Sequence, residues 1–532
     1  MNVVLQIIFV VLELCRRFIK HTERGFLGME KTTRRIGTGL VACSLGVSSL
    51  AIAVTPSVAS AKTLPSYTIT IQLPGNTGTL NSPQNRALKT LTQRYEKMHP
   101  NITVDWQPVP GNPSITQLNA ELIARASAHS AMDVVLQWYG PVNSGSLPQG
   151  ILQNLKPYLL QKSPYAKGFK TWLATWEPST LPYMKAPNGN IDVLLGSTVT
   201  TEILYNKADF ARAGVKSVPT TYAQWLGDMV KLKKVGITPL MFGTGGPCNP
   251  SWYERKFQSA LLHSQISKFN VNHQQIITGL DVAVGVKRGI ISMKNPAYAE
   301  GWKLLGQLRK YMAPGQSSYD ACSGPTQSSP PLSELQPFVQ NKFAMAWMGS
   351  WDIPDLNQLG FRGKFGFFPF PTITKATTRY SSNVNVTGTV GGPNGSGNWS
   401  VTSEAADASM TPAKTKWVIN FLQWLYAPQN EASWIADSSN NAYIPLIKGT
   451  KMPAGSVPGL SSLLPKKFPP PTVDAITDAA LTAQAQNEGI RLIQAYVGGS
   501  MTYNAFAQQW QSLLNQSAQQ WAQANKVNLS KY

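Results

Sequence analysis

The chain has 532 residues, with 47 lysines and arginines against 26 aspartates and glutamates and a formal net charge of +21 at pH 7. Charged residues make up only 14% of it, whereas about a quarter is usual, so the positive excess reflects missing acids. The basic residues are dispersed along the chain, while nucleic-acid-binding proteins gather them in a patch or stripe. Nucleic acid is therefore not expected as a partner.

The shortage of acids has a physical explanation in an acidic external medium. There a carboxylate would be protonated and lose its electrostatic role, so neutral polar residues would take its surface positions. We therefore expect an acidic environment for the mature protein.

Residues 1–61 carry the features of an export signal. A basic stretch at 31–35 precedes an apolar run of small residues at 36–58, and Ala61 ends the small-residue triplet that signal peptidase requires. Glycines and a proline interrupt the run, which favours cleavage over a retained membrane anchor. We expect the mature protein outside the cytoplasmic membrane, at the cell surface or in a periplasm.

Two features of this leader stay open. Cys43 ends a passable lipoprotein box, in which it would be acylated and become the mature N-terminus. The apolar run before it is short for that role, so cleavage after Ala61 is favoured. Residues 1–28 fit no export signal well, and Met29 is the alternative start.

Strand and helix patterns alternate after the leader. Apolar residues recur at every second position in the strands. Four apolar residues of the first helix recur at helical spacing and predict one buried face, namely Leu88, Leu91, Tyr95 and Met98. This alternation predicts a parallel α/β sheet. The predicted strands are 67–73, 102–106 and 133–136. The first predicted helix begins at Ser82. Further helices are predicted at 115–126, 252–262, 298–311 and 416–434, and two more between residues 473 and 522.

Two blocks that lie far apart carry the most specific pattern. Residues 202–232 contain Tyr-Asn-Lys at 205–207, then Gly214, then Pro-Thr-Thr at 219–221 before an amphipathic helix. Residues 338–351 place a Phe and a basic residue before Ala-Met and Gly-Ser-Trp. In this order, the blocks resemble the family 1 extracellular solute-binding proteins of bacterial ABC importers, the sugar-binding branch similar to maltose-binding protein.

The resemblance implies an α/β fold of the two-lobe periplasmic-binding-protein type (type II). The lobes would be discontinuous and joined by a hinge, with the ligand between them. The first lobe would hold residues 62–178 and 392–445, and the second lobe would hold residues 179–391 and 446–532. Two lobes also suit the length of the mature chain.

Enzyme chemistry finds little support in the sequence. His263 and His273 are the only neighbouring histidines, and their spacing fits no common zinc site. Neither a nucleophile elbow nor a phosphate-binding loop is present, and sequence alone cannot pair two carboxylates for glycoside hydrolysis. We therefore predict no catalytic residues, no metal and no cofactor.

Tryptophan is abundant, and all 15 residues follow the leader. A sugar needs flat aromatic surfaces for its C–H faces and polar side chains for its hydroxyls. Ligands of open α/β sheets bind at the loops beyond the carboxyl ends of the strands. Aromatic candidates there are Trp138, Trp252 and Trp351, and polar candidates are Asn76, Glu254, Asp352 and Asn441.

The family resemblance adds further positions to the predicted ligand-binding set. It implies that Trp138, Trp252 with Tyr253, and Trp351 face the cleft. Tyr139 is a candidate because it follows Trp138 just past the third strand. The resemblance also places the glycine turn at Gly391 and Gly392 near the crossing between lobes. Thr200 and Tyr443 complete the set.

Cys248 and Cys322 are the cysteines that would remain after cleavage. Outside the cytoplasm they could form a disulfide, and the alternative is two buried thiols.

The predicted function is the extracytoplasmic substrate-binding component of an ABC importer. A monomer would bind a sugar or oligosaccharide between its lobes and deliver it to the membrane permease. A secreted carbohydrate-active enzyme and a surface carbohydrate-attachment protein are the alternatives.

Overall fold

The computed structural model describes residues 64–532 with several gaps. These gaps are 74–78, 83–84, 110–114, 141–146, 187, 274–276, 324–327, 387–390, 393–396, 440–442, 453–471 and 474–480. The export signal, Cys43, Met29, Asn76 and Asn441 lie outside the described residues, so what was predicted for them stays a prediction.

The described strands belong to two sheets. They are β1 (Tyr67–Gln72), β2 (Ile102–Gln107), β3 (Val134–Leu136), β4 (Ser197–Asn206), β5 (Leu240–Met241), β6 (Met345–Gly349), β7 (Phe365–Phe368), β8 (Gly391–Gly392), β9 (Trp399–Val401) and β10 (Ile444–Pro445).

Helices cover both sheets and form the C-terminal region. They are α1 (Arg86–Met98), α2 (Ile115–Ser127), α3 (Lys156–Leu159), α4 (Leu181–Met184), α5 (Lys207–Arg212), α6 (Tyr222–Lys234), α7 (Cys248–Leu262), α8 (Gly279–Lys287), α9 (Pro296–Leu308), α10 (Leu335–Val339), α11 (Ile353–Gln358), α12 (Pro412–Leu425), α13 (Pro428–Ser439), α14 (Ala483–Gly498) and α15 (Tyr503–Ala524). Among the described helices, none combines the length and the apolar character that crossing a membrane requires.

The four-stranded sheet has the order β2-β1-β3-β9. Its first three strands are parallel, as predicted, but β9 runs antiparallel to β3. The predicted parallel pairing is confirmed for these three strands, and the antiparallel fourth strand was not predicted, because it returns from a distant part of the chain. Helices bury both faces, so adjacent residues Val134 and Val135 belong to two different cores.

The six-stranded sheet is organised around β4. The strands β6, β7, β8 and β10 all pair antiparallel with β4, and β5 pairs parallel with β6. Successive side chains of a strand point to opposite faces. Accordingly, Ile203 and Trp347 enter one core, while Leu204 and Met348 enter the core on the other face.

The two sheets define two lobes. The main core of the first lobe draws on residues 69–195 and 399–447, and the main core of the second draws on 203–386 and 473–518. Strand β4 lies between these two stretches of chain. The two-lobe α/β fold with discontinuous lobes is confirmed, while the segment limits given for each lobe stay a prediction.

The block that includes Tyr205-Asn206-Lys207 is explained by helix capping. The Asn206 side chain accepts hydrogen bonds from the backbone N–H groups of Ala208 and Asp209 at 2.9 and 3.3 Å, which begins α5. Gly214 ends this region with φ +68°, a conformation that glycine adopts at little cost. Thr221 and Gln224 then form the capping box of α6.

One predicted helix is divided. The pattern over residues 416–434 forms α12 and α13, because the chain turns at Tyr426 and Ala427 and restarts at Pro428. Proline lacks the N–H that a continuous helix would need at that position but suits a first turn. The prediction of a single helix was wrong at this point.

Candidate functional site

Aromatic side chains gather where β3 ends. Trp138 is partly buried, and its ring lies 5.5 Å from that of Tyr139, which is 9% exposed. Tyr183 of α4 packs edge-on against Tyr139 at 5.2 Å. These three residues, which we call the first-lobe aromatic group, present one indole and two phenols at the carboxyl edge of the sheet.

Gly140 keeps this group close to α4. A Cβ atom at this position would lie 2.5 Å from the backbone oxygen of Met184 and 3.0 Å from Oδ1 of Asp192. The backbone beside Tyr139 therefore approaches α4 more closely than any side chain would allow. Asp192, which is 9% exposed, is the acid nearest to this turn on the first lobe.

A second aromatic group lies in the second lobe. Trp351 is partly buried, and its ring packs edge-on against Trp252 at 6.0 Å. Trp252 in turn lies 5.8 Å from Trp347 of β6. The Trp351 indole N–H donates to the carbonyl of Ala321 at 3.4 Å. We call Trp252, Trp347 and Trp351 the second-lobe aromatic group.

Arg255 of α7 relates the two lobes electrostatically. Burial raises the pKa of both Tyr139 and Tyr183, and the positive charge of Arg255 opposes the rise at each hydroxyl. A residue from a helix of the second lobe therefore acts on both phenols of the first-lobe aromatic group. The two lobes meet at this point.

Two buried groups of opposite charge, Glu202 and Lys256, act on each other electrostatically, and Lys256 is the residue after Arg255. Burial raises the pKa of Glu202 on β4 to about 7, and Lys256 opposes that rise. Burial lowers the pKa of Lys256 to about 8, Glu202 raises it, and Arg255 lowers it further. The Lys256 ammonium donates to the carbonyl of Val386 at 2.8 Å. This contact ties α7 to the chain that leads into β8.

Strand β4 carries the crossing between the lobes. Val199 and Thr200 pair with Gly392 and Gly391, so the predicted glycine turn is a short strand here. The Thr200 backbone N–H donates to the hydroxyl of Ser350 at 3.3 Å. Within the described residues, the Thr200 hydroxyl is buried and makes no hydrogen bond.

Tyr443 stands just before β10, which pairs with Ser197 and Thr198 at the start of β4. It is partly exposed and packs against the first-lobe core. Burial raises its pKa. Tyr443 therefore lies close to the crossing strand that contains Thr200, and ligand contact by both residues stays a prediction.

Other predicted ligand-binding residues lie in the interior. Tyr253 is fully buried, donates to the carbonyl of Gly243 at 2.8 Å and stacks on Phe242. Glu254 is also fully buried and accepts a hydrogen bond from Tyr298 at 3.1 Å. Trp252 is 5% exposed. Their placement is that of core residues, because α7 begins at Cys248 and carries this segment inside the lobe.

Asp352 has a local structural partner. It is 4% exposed, and its carboxylate accepts the backbone N–H of Gly349 at 3.0 Å. Burial raises its pKa well above the ordinary value, and the Gly349 hydrogen bond opposes that rise. The contact fixes the turn that carries Trp351.

A disulfide joins Cys248 to Cys322. It attaches the first residue of α7 to the loop whose carbonyl, at Ala321, receives the Trp351 indole. The two sulfurs and Asp320 lie within 4.8 Å of one another. Since both sulfurs are bonded to each other, they are not thiolate ligands for a metal.

Buried acids surround this loop. Burial raises the pKa of Asp320 to about 6, although several backbone N–H groups oppose the rise. Burial also raises the pKa of Glu334. The backbone N–H of Gly243 opposes this rise in pKa, whereas the negative charges of Asp320 and Asp352 increase it. These three acids, which we call the acid cluster, approach one another inside the second lobe.

Two residues at the meeting point of the lobes were not predicted from the sequence. Arg255 directly follows the predicted residues Trp252, Tyr253 and Glu254, and its charge was a signal that could have found it. Tyr183 offered no such signal, because it lies on a four-residue helix far from any recognised motif.

Comparison with known proteins relates this two-lobe chain to solute-binding proteins. The sequence model of the family described as bacterial extracellular solute-binding protein matches residues 81–262. Among curated protein sequences, no relative matches this chain. The predicted resemblance to extracellular solute-binding proteins is confirmed by the family match and by the fold.

Three solved structures illustrate the fold. A chitin oligosaccharide binding protein superposes with a TM-score of 0.59 at 18% identity, covering 85% of this chain and 99% of its own. The binding protein MsmE from Bacillus subtilis, in an open conformation, superposes with a TM-score of 0.59 at 15% identity, covering 87% of this chain and 99% of its own. The protein RafE in complex with raffinose superposes with a TM-score of 0.52 at 16% identity, covering 85% of this chain and 100% of its own. Identities this low show the fold alone.

Proposed function

We propose that this protein binds a sugar or oligosaccharide between its two lobes and delivers it to the membrane permease of an ABC importer. The observation that carries the proposal is the pair of partly exposed indoles, Trp138 and Trp351, one on each lobe. Trp138 packs against Tyr139, and the charge of Arg255 on the second lobe acts on the hydroxyls of both Tyr139 and Tyr183. Flat apolar faces beside convergent polar groups suit a sugar ring.

Binding would couple to closure of the lobes. A ligand that contacts both lobes binds the closed form better than the open form, so it shifts the equilibrium between them. Strand β4 and the paired β8 would act as the hinge, since both connect the two cores. No covalent bond of the sugar is made or broken in this cycle.

The names of the structural neighbours favour carbohydrate over other solutes. Chitin oligosaccharide and raffinose appear in the names of two of them. An extracellular location agrees with the family match and with the predicted export signal. We further propose that the mature protein is a monomer that works in an acidic medium, cleaved after residue 61 or anchored through Cys43.

A thermal-shift screen against mono- and oligosaccharides identifies the ligand, because a ligand of the native state alone raises the midpoint. With that sugar, Trp351→Ala should weaken calorimetric affinity at least tenfold, since it removes a stacking surface worth about 1 kcal/mol beyond its buried area. Trp521→Ala, which removes a partly buried indole from the C-terminal helix α15, is the matched control. Equal affinity of wild type and Trp351→Ala would remove Trp351 from the site.

The same purified protein tests the enzymatic alternative. Release of reducing ends from the bound oligosaccharide would make the protein a carbohydrate-active enzyme. Stable recovery of intact sugar from the complex is the result expected of a transport protein.

A further inference from the structure

We infer that Asn249 and the disulfide between Cys248 and Cys322 position Trp351 in the sugar site, which makes sugar affinity sensitive to reduction. They hold residues 320–323, which we call the disulfide loop, and this loop bonds the Trp351 indole. The inference rests on the proposed function, because it names what controls that same site. The contacts at the start of α7 carry it.

The Trp351 ring has two neighbours that set its orientation. Its indole N–H donates to the carbonyl of Ala321 in the disulfide loop at 3.4 Å. Its ring packs edge-on against Trp252 of α7, with the ring centres 6.0 Å apart. The direction in which this partly buried ring points therefore depends on where Ala321 and Trp252 lie.

Asn249 fixes Ala321 against the sheet of the second lobe. It is fully buried, and its side-chain oxygen accepts the backbone N–H of Ala321 at 2.9 Å. Its side-chain nitrogen donates to the carbonyl of Trp347 on β6 at 3.3 Å. Removal of this amide would leave a buried backbone N–H without its partner, which is costly unless the loop moves. The disulfide loop should therefore shift, and Trp351 should shift with it.

The disulfide holds the next residue of the loop to the same helix turn. Cys248 begins α7, and its partner Cys322 follows the residue that Asn249 bonds. Two adjacent residues of the helix thus hold two adjacent residues of the loop. Trp252 lies four residues after Cys248, and residues so spaced are neighbours on a helix. The start of α7 therefore positions both contacts of the Trp351 ring.

Reduction of the disulfide should loosen this loop without unfolding the lobe. Cys322 is exposed, so a thiol reductant reaches the bond. The chain just before the loop is held by other contacts, since the backbone N–H of Gly245 donates to the carbonyl of Tyr319 at 2.8 Å. The N–H of Asp320 likewise donates to the carbonyl of Leu332 at 3.0 Å. The freed part of the loop is thus the part that bonds Trp351.

Fluorine NMR of the free protein labelled with fluorotryptophan tests the positioning itself. The Trp351 resonance is identified by its loss in Trp351→Phe. It should shift or broaden in Asn249→Ala and after reduction with dithiothreitol. Asn295→Ala is the matched control, because the Asn295 amide also bonds two backbone groups, those of Ile290 and Ala297, at the start of α9. This control should leave the Trp351 resonance in place.

Calorimetry measures the consequence for binding, with the tightest binder among chitotriose, raffinose and maltotriose as the probe. Asn249→Ala and reduction should each weaken affinity about fivefold, the worth of one ordinary hydrogen bond. In a Trp351→Ala background neither change should weaken affinity further, because both act through that ring. The double variant Cys248→Ser with Cys322→Ser should match the reduced protein and ignore dithiothreitol.

The outcomes separate this inference from the proposed function. A Trp351 resonance that stays in place in both Asn249→Ala and the reduced protein would overturn the inference. So would an equal loss of affinity with and without the Trp351 side chain. If Asn249→Ala does not fold, the reduced protein and the double cysteine variant decide the same question. Failure of every screened sugar to bind would refute the proposed function, while the resonance in the free protein still decides the positioning.

Discussion

The ring of Trp351 folds back over its own turn, and Gly349 makes this possible. A Cβ atom at position 349 would lie 2.3 Å from the indole ring. The hydrogen bond from the Gly349 N–H to Asp352 holds the same turn at its other end. Gly349 and Asp352 therefore both serve to position the Trp351 side chain.

Replacing that glycine should displace the indole. We expect Gly349→Ala to destabilise the fold by about 1–3 kcal/mol, as overpacking usually does, and to weaken sugar binding because Trp351 must move. Urea unfolding and calorimetry measure the two effects. Gly227→Ala on α6 is the matched control, since a Cβ there meets nothing within 4 Å. It should stabilise the protein by up to about 1 kcal/mol.

An unchanged free energy of unfolding in Gly349→Ala, with full sugar affinity, would show that Trp351 does not depend on this glycine. Loss of stability in Gly227→Ala would instead point to a general intolerance of added methyl groups.

Single residues were the hardest feature to predict from the sequence. Trp138 and Trp351 lie partly exposed, as ligand-binding residues must, but Tyr253 and Glu254 lie in the interior. The sequence predicted a helix from residue 252 with these two residues as ligand-binding candidates, whereas α7 begins at Cys248, with Pro250 in the first turn where proline is tolerated, and buries both side chains. Whether a side chain faces a cleft or a core depends on the packing of the whole lobe.

At the scale of elements, local patterns were more informative. The first strands and helices, the capping box at Thr221 and the two C-terminal helices divided at Gly498 and Gly499 agree closely with the sequence. Local propensity and hydrophobic period suffice for these. The pairing of β9 with β3 was not predicted, because it joins residues far apart in the chain.

Strand β4 shows how one element can serve both lobes. Its first residues pair with β8 and β10, and its later residues pair with β6 and β7. The disulfide, which spans 74 residues of sequence, fixes the loop that faces the second-lobe aromatic group. Closure of the cleft would therefore bend β4 near Thr200 and leave the second lobe unchanged.

At the scale of the whole molecule, buried acids set the dependence of stability on pH. A carboxyl with a higher pKa in the folded chain holds its proton more tightly when folded. Its contribution is fully present below its unfolded pKa of about 4 and is lost as pH rises through the folded value. The acids with raised pKa are Asp133, Glu202, Asp209, Asp320, Glu334, Asp352, Asp355 and Glu431.

We therefore expect the free energy of unfolding to be higher at pH 5 than at pH 7.5. The pKa of Asp320 is about 6 and that of Glu202 about 7, so the loss falls between about pH 4 and neutrality. The lowered pKa values of His99 and Glu488 act in the opposite sense, since both disfavour the protonated form in the folded chain. Urea unfolding across this range measures the balance. Greatest stability near neutrality would contradict both this account and the acidic environment.

We propose that the two lobes close on a ligand that binds between them. Small-angle scattering with and without the sugar that raises the unfolding midpoint measures this closure. Domain closure predicts a smaller radius of gyration in the complex, and no such decrease in a Trp351→Ala variant that has lost its affinity. A radius of gyration that stays the same while the sugar demonstrably binds would contradict the account.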